Sequence, residues 1–164
     1  MVVYKGNDRV ETEREQEGTK GYAVGFEGLI NFINALLPVN KVIEASIRKT
    51  VPVYPELAIR ELVVNALIHQ DFFVTGSGPM VDIFKDRMEI TNPGAPLVDT
   101  IRFLDSTPRS RNEALASFMR RIGICEERGS GNDKVVFQTE VFQLPAPCFE
   151  QAGEYGTRVV LFSP

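Results

Sequence analysis

Glu61, Asn65 and His69 stand four residues apart in the stretch RELVVNALIHQDF, residues 60–72. On a helix, positions at that spacing share one face. They make a polar ribbon on a segment that is otherwise apolar, with Leu57, Ala58, Leu62, Val63, Val64, Ala66, Leu67 and Ile68 around it. A helix this apolar is covered by other elements. A buried carboxylate is costly unless it is paired, hydrogen-bonded or turned to water or a ligand. Two readings stay open. In one the ribbon is structural, with Glu61 on an arginine and Asn65 on a loop backbone. In the other it faces a wet cleft, where Asn65 offers a carbonyl oxygen to a hard cation such as Mg²⁺ and Glu61 acts as general base toward a water. His69 is the only histidine of the chain.

Two Gly-Ser-Gly triplets follow. Gly76-Ser77-Gly78 precedes a strand and reads as a turn. Gly129-Ser130-Gly131 stands before residues 132–142, which are ambiguous between helix and strand, with helix the expected reading. If they are helical, the triplet presents unpaired N–H groups to an anion; otherwise it is a helix end followed by a turn. No G-x-x-x-x-G-K-[ST] occurs, which excludes a P-loop, and no G-x-G-x-x-G follows a strand.

The elements that must position these groups can be read from periodicity. Phe26, Leu29, Ile30, Ile33, Leu36 and Leu37 predict a helix over 26–37, ended by Pro38. Alternation predicts one half-buried strand over 42–48. The ribbon helix spans 55–69, with Pro55 in its first turn. Strands are expected over 79–84 and 87–91 around a Lys85-Asp86 turn, with Asn92–Pro96 breaking regular structure. A helix over 112–122 turns Leu115, Phe118, Met119 and Ile122 inward, capped by Ser110 or Asn112. Residues 156–162 are a last strand. Before all this, residues 1–20 read as a strand at Val2–Tyr4 and a charged linker. The fold class expected is α/β (α+β): a two-layer sandwich with a mixed, mostly antiparallel sheet and helices on one face.

The 164 residues fit one domain, with 43% hydrophobic and 24% charged residues. Net charge is −4, and phosphate binding needs clustered cations. The best run holds Arg102, Arg109, Arg111, Arg120 and Arg121 and reads as a solvated helix face. Cys125 and Cys148, with one histidine, cannot complete a zinc site; they read as packing residues in a reducing, cytoplasmic setting. No apolar run is long enough to span a membrane. The start, MVVYKGNDRVETEREQEG, looks like a chain that begins mid-protein, so a fragment of something longer is expected. Residues 1–40 then lead into a main unit at 41–164.

The order of the ribbon, a strand ending in Asn92-Pro93-Gly94, the Gly-Ser-Gly helix and a closing Gly-Thr strand resembles the GHKL ATPase superfamily of DNA gyrase, sensor histidine kinases and mismatch-repair ATPases. More closely, YPELAIRELVVNALIHQDF, DRMEITNPGAPL, SRNEALASFMRRIGICEERGSG and LPAPCFE…GTRVVLF resemble the C-terminal ATPase-like domain of RecG-helicase-related, Schlafen-AlbA-type bacterial transcriptional regulators. The likeness runs from about residue 40 to the end. It implies a Bergerat-like fold with ATP and Mg²⁺ as ligands. It implies that Glu61 polarises the attacking water and Asn65 holds Mg²⁺. It sets Asn92 where the superfamily has the aspartate that reads the adenine amino group. It matches Gly94 to one glycine of that box, Gly129 and Gly131 to the phosphate cradle, and Thr157 to the threonine of the closing strand. Arg111 becomes a phosphate-contact candidate. Asn92 for aspartate and Pro96 for a glycine are departures, so slow hydrolysis or binding without turnover is expected. The alternative is a degenerate interaction or dimerisation module that keeps the fold and binds no nucleotide. No helicase motor motif is present. DNA is expected to be contacted only by a region outside this chain, and a homodimer is the one partner expectation beyond nucleotide.

Overall fold

The computed structural model describes residues 1–44, 47–104, 109–125 and 131–164, with 40–50 described at the level of the backbone. The main sheet is built from β1 (Val2–Tyr4), β2 (Thr12–Glu15), β5 (Met80–Ile83), β6 (Arg87–Pro93), β7 (Cys148–Ala152) and β8 (Gly156–Phe162). They lie in the order β2-β1-β5-β6-β8-β7. Only β1 and β5 run parallel; the other pairings are antiparallel. A separate two-stranded antiparallel sheet pairs β3 (Val39–Glu44) with β4 (Ile47–Pro52). The helices are α1 (Tyr22–Leu36), α2 (Glu56–His69), α3 (Glu113–Arg121) and α4 (Gly131–Val141), with a 3₁₀ turn at Thr100–Arg102. This is the mixed, mostly antiparallel α+β arrangement expected. No helix among the described residues is long and apolar enough to cross a membrane.

Helix α2 sits at the centre because its sequence allows nothing else. Ile59, Leu62, Val64 and Leu67 are buried in one cluster with Phe26 and Ile33 of α1, Met119 of α3, Val135 of α4 and the sheet residues Val81, Ile83, Met88, Ile90 and Leu161. Burying each such side chain stabilises by about 1.5–3 kcal/mol. That packing holds α2 although Pro55, at its N-cap, supplies no side-chain hydrogen bond. The sheet alternates accordingly. Val81, Ile83, Met88 and Ile90 face the helices, while Asp82 and Glu89, cross-strand partners, face the other way.

The outer face is covered by the loop between β1 and β2. The Lys85 amide donates to the Gly6 carbonyl at 3.2 Å and Arg87 Nη1 to the Asn7 carbonyl at 3.0 Å. Arg9 reaches from this loop to Asp82, at 3.0 Å, and to Glu89. Tyr4 stacks on Phe84 at 4.8 Å, with Arg9 and Arg87 also over that ring.

Several expectations are corrected. The alternation over 42–48 belongs to two strands, β3 and β4, whose register pairs Glu44 with Ile47; residues 45–46 lie outside the described residues. The linker contains an edge strand, β2, whose four residues are all exposed, so no apolar pattern announces it. Strand β6 continues through Asn92 and Pro93, and the break comes at Gly94, whose φ is +119°. On α3 the deepest residues are Ala116 and Met119, while Phe118 and Ile122 are about half exposed. Asn112 holds the N-cap position of α3 without capping it. Its Nδ2 instead donates to the carbonyls of Ile68 and Gln70, at 2.9 and 2.8 Å, closing the end of α2. The ambiguous stretch after Gly131 is helical. β1 and α1, from the first forty residues, are built into the same sheet and core as the rest.

Candidate functional site

A cavity of about 770 Å³ opens between α2, α3, α4 and the inner face of the sheet. The polar ribbon lines it: Glu61, Asn65 and His69 all face this space. Glu61 is 4% exposed. The N-terminus of α4 lies directly against the ribbon. A Cβ added at Gly131 would stand 2.9 Å from Glu61 Oε2 and 3.4 Å from Asn65 Nδ2, so only glycine lets the helix start there undisturbed. Asn65 Nδ2 donates to Asn132 Oδ1 at 3.3 Å, which leaves its Oδ1 available as an acceptor. Gly129 lies outside the described residues.

The far end of the cavity is floored by strand register. Ile90, Val159 and Phe149 form one row across β6, β8 and β7, and Asn92, Thr157 and Gln151 form the next row on the same face. Phe103 meets Phe149 edge-on at 5.7 Å. The apolar row lines the cavity together with Phe103, Asn92 and Thr157. Asn92 is buried and donates from Nδ2 to the Pro93 carbonyl at 3.2 Å, so the free end of its amide is an oxygen acceptor. Thr157 Oγ1 donates to the Gly94 carbonyl at 2.8 Å. Gly94 combines a positive φ with crowding: an added Cβ would meet Arg111 Nε and Asp71 at 3.2 Å. The Gly94 amide also donates to the Tyr155 carbonyl at 2.6 Å. The turn after β6 is thus clamped from three sides.

Arg111 does much of that clamping. Its Nε donates to the His69 carbonyl at 3.2 Å, Nη1 to Asp71 Oδ2 at 3.3 Å and Nη2 to the Ala95 carbonyl at 2.6 Å. It lines the cavity, but its donors are turned to the chain itself. Arg109 and Arg120 line the same cavity. Burial, helped by the Arg111 charge, holds the His69 imidazole below its ordinary 6.5, so it is neutral at pH 7.

The structure therefore brings Glu61, Asn65, Asn92, Gly131, Arg111 and Thr157 around one space, with Gly94 holding the turn beside it. Sequence reasoning missed Phe103 and Phe149, which become neighbours only when the 3₁₀ turn at Thr100–Arg102 sets Phe103 against β7. It also passed over Arg109 and Arg120, which it took as part of a solvated face. Among the described residues no group of three or more His, Cys, Asp or Glu side chains could hold a metal ion. A cation here would need Asn65 completed by oxygens of a bound ligand and water, which is how Mg²⁺ is commonly held.

Comparison with known proteins is consistent with this layout. A search of curated proteins finds no match. Among solved structures, the crystal structure of the DIP2311 protein from Corynebacterium diphtheriae superposes with a TM-score of 0.87 at 23% identity, over 99% of this chain and 34% of that one. The likeness shows a shared fold, and this chain spans about a third of that protein's length. A family model described as "Putative ATP-dependent DNA helicase recG C-terminal" matches residues 76–161, more than half of the chain. Asn92, Gly94, Arg111, Gly131 and Thr157 fall inside the match, and Glu61 and Asn65 precede it. The chain belongs to this RecG C-terminal family of ATPase-like domains.

Proposed function

We propose that the chain is an ATP- and Mg²⁺-binding regulatory domain of GHKL type, working in the cytoplasm within a larger bacterial transcriptional regulator and turning ATP over slowly or holding it without turnover. The observation that carries this reading is the placement of Glu61 and Asn65. They lie one turn apart on α2, facing a 770 Å³ cavity and touching the glycine that starts α4. A triphosphate end at α4 gains the positive end of that helix's dipole. Asn65 Oδ1 is the hard donor for the cation, and when bound Mg²⁺ supplies neutralisation of phosphate charge. Glu61 is placed to accept a proton from water at the same end. At the other end the Ile90–Val159–Phe149 row offers an apolar floor for a base, and Asn92 Oδ1 an acceptor for its amino group. DNA contacts and control of transcription belong to regions beyond this chain.

A second reading, an interaction or dimerisation module that keeps the fold without a ligand, draws on one observation: Asn65 and Arg111 already have partners inside the chain, and Glu61 is engaged as well. Isothermal titration of ATP with Mg²⁺ separates the two. Saturable heat in the native chain, lost in Asn65→Ala, supports the nucleotide domain. Absence of heat in the native chain supports the module.

A further inference from the structure

We propose that Arg120, with Arg109 at the cavity mouth, supplies the positive charge that engages the nucleotide's phosphate tail; this rests on the nucleotide reading above and names its charge partner. The argument begins with a division among the arginines near α3. Arg60 donates to the carbonyls of Gly123 and Ile124 at 3.0 and 3.2 Å and lies over the Phe26 ring at 5.0 Å. Arg111 is held by Asp71 and two carbonyls. Arg109 and Arg120 make no hydrogen bond or ion pair among the described residues, yet both line the cavity. In a chain of net charge −4, two unmatched guanidinium groups on one concave surface are not a by-product of overall basicity.

Their positions differ. Arg120 stands in the last turn of α3 near Cys125, where the Glu61 charge is also felt. Burial pushes the Cys125 thiol up, Glu61 adds to this, and Arg120 and Arg60 pull it back. Arg120 and Glu61 thus converge on one corner, the corner where α4 begins. Arg109 stands with Leu97, Ser110 and Glu113 on the rim. Beside it, Ser110 Oγ is buried with no hydrogen-bond partner while its residue lines the cavity, which gives an anion one more donor. A guanidinium fork matches phosphate oxygens in geometry and stays charged at any working pH.

The test titrates three probes, ATP with Mg²⁺, adenosine and inorganic tripolyphosphate, into the native chain, Arg120→Ala, Arg120→Gln, Arg109→Ala and the control Arg121→Ala. Arg120 is exposed, so its variants should fold, which circular dichroism verifies. The expected result is an ATP affinity about tenfold weaker in both Arg120 variants and a smaller loss in Arg109→Ala. The salt dependence of binding should shrink, adenosine affinity should hold, and Arg121→Ala should match the native chain. ATP binding equal in native and Arg120 variants overturns this inference and leaves the nucleotide reading standing. Tripolyphosphate bound through Arg120 without any binding of ATP or adenosine upholds the anion site and removes the nucleotide reading. No binding of any probe overturns both.

Discussion

Glu61 and Glu89 are buried to the same degree, each 4% exposed, in opposite layers of the molecule. Their surroundings differ. Glu89, on the outer face of the sheet, is gripped by the chain's own arginines: Arg87 at 2.7 Å, Arg9, and Arg158 at 3.3 Å. Burial would raise its carboxyl, but the Arg87 hydrogen bond and the charges of Arg9, Arg158 and Arg87 outweigh it and hold the group below its ordinary 4.5. Glu61, in the helical layer, borders an open cavity whose nearby arginines 109 and 120 have no carboxylate partner among the described residues. One buried carboxylate is held by three arginines of the outer face. The other, itself engaged within the chain, borders a cavity that also holds two arginines with no carboxylate partner among the described residues.

The comparison is sharpened first by breaking the outer network. Glu89→Ala leaves three arginines facing a vacated site and should lower stability by about 2–4 kcal/mol, once their partial exposure is allowed for. Urea unfolding measures it, and a loss under about 1 kcal/mol would mean the outer face is not structural. The pH dependence follows from the same group. Because its folded value is depressed, Glu89 contributes stability that is fully present above about pH 4.5 and is lost as pH falls through the folded value. The stability gap between the native chain and Glu89→Gln should therefore stay level near neutrality and shrink on acidification. Asp82 works in the opposite sense: burial raises its carboxyl against the pull of Arg9, so protonation relieves it. A smaller effect is expected where the two helices bordering the cavity are tied. Asn112→Ala removes two hydrogen bonds to the end of α2 and should cost about 1–2 kcal/mol, read from the same urea midpoint.

What the sequence disclosed tracks this division. The ribbon helix was legible because the four-residue spacing of Glu61, Asn65 and His69 stands out in a mostly apolar segment, a pattern a single helix carries by itself. The β5–β6 hairpin was legible because its two-residue turn and alternation are local. The β3–β4 pair was not, since the sequence alternation over 42–48 continues unbroken from one strand into the other. Nor was β2, with no apolar residue to mark it. Arg111 carried the expectation of a phosphate contact from its place before a helix, yet its partners His69, Asp71 and Ala95 stand 42, 40 and 16 positions away. Phe103 and Phe149 meet only when the 3₁₀ turn packs against β7, and no window of sequence contains both.

The central claim is that the inner ribbon serves a ligand while the outer network serves the fold. Thermal unfolding of the native chain, Asn65→Ala and Glu89→Gln, with and without ATP and Mg²⁺, tests it most directly. With ligand about a hundredfold above Kd, the native chain and Glu89→Gln should each gain about 2.7 kcal/mol. Asn65→Ala should lose that gain while its unliganded stability moves by no more than about 1 kcal/mol. A full gain retained by Asn65→Ala, or none in the native chain, would contradict the account.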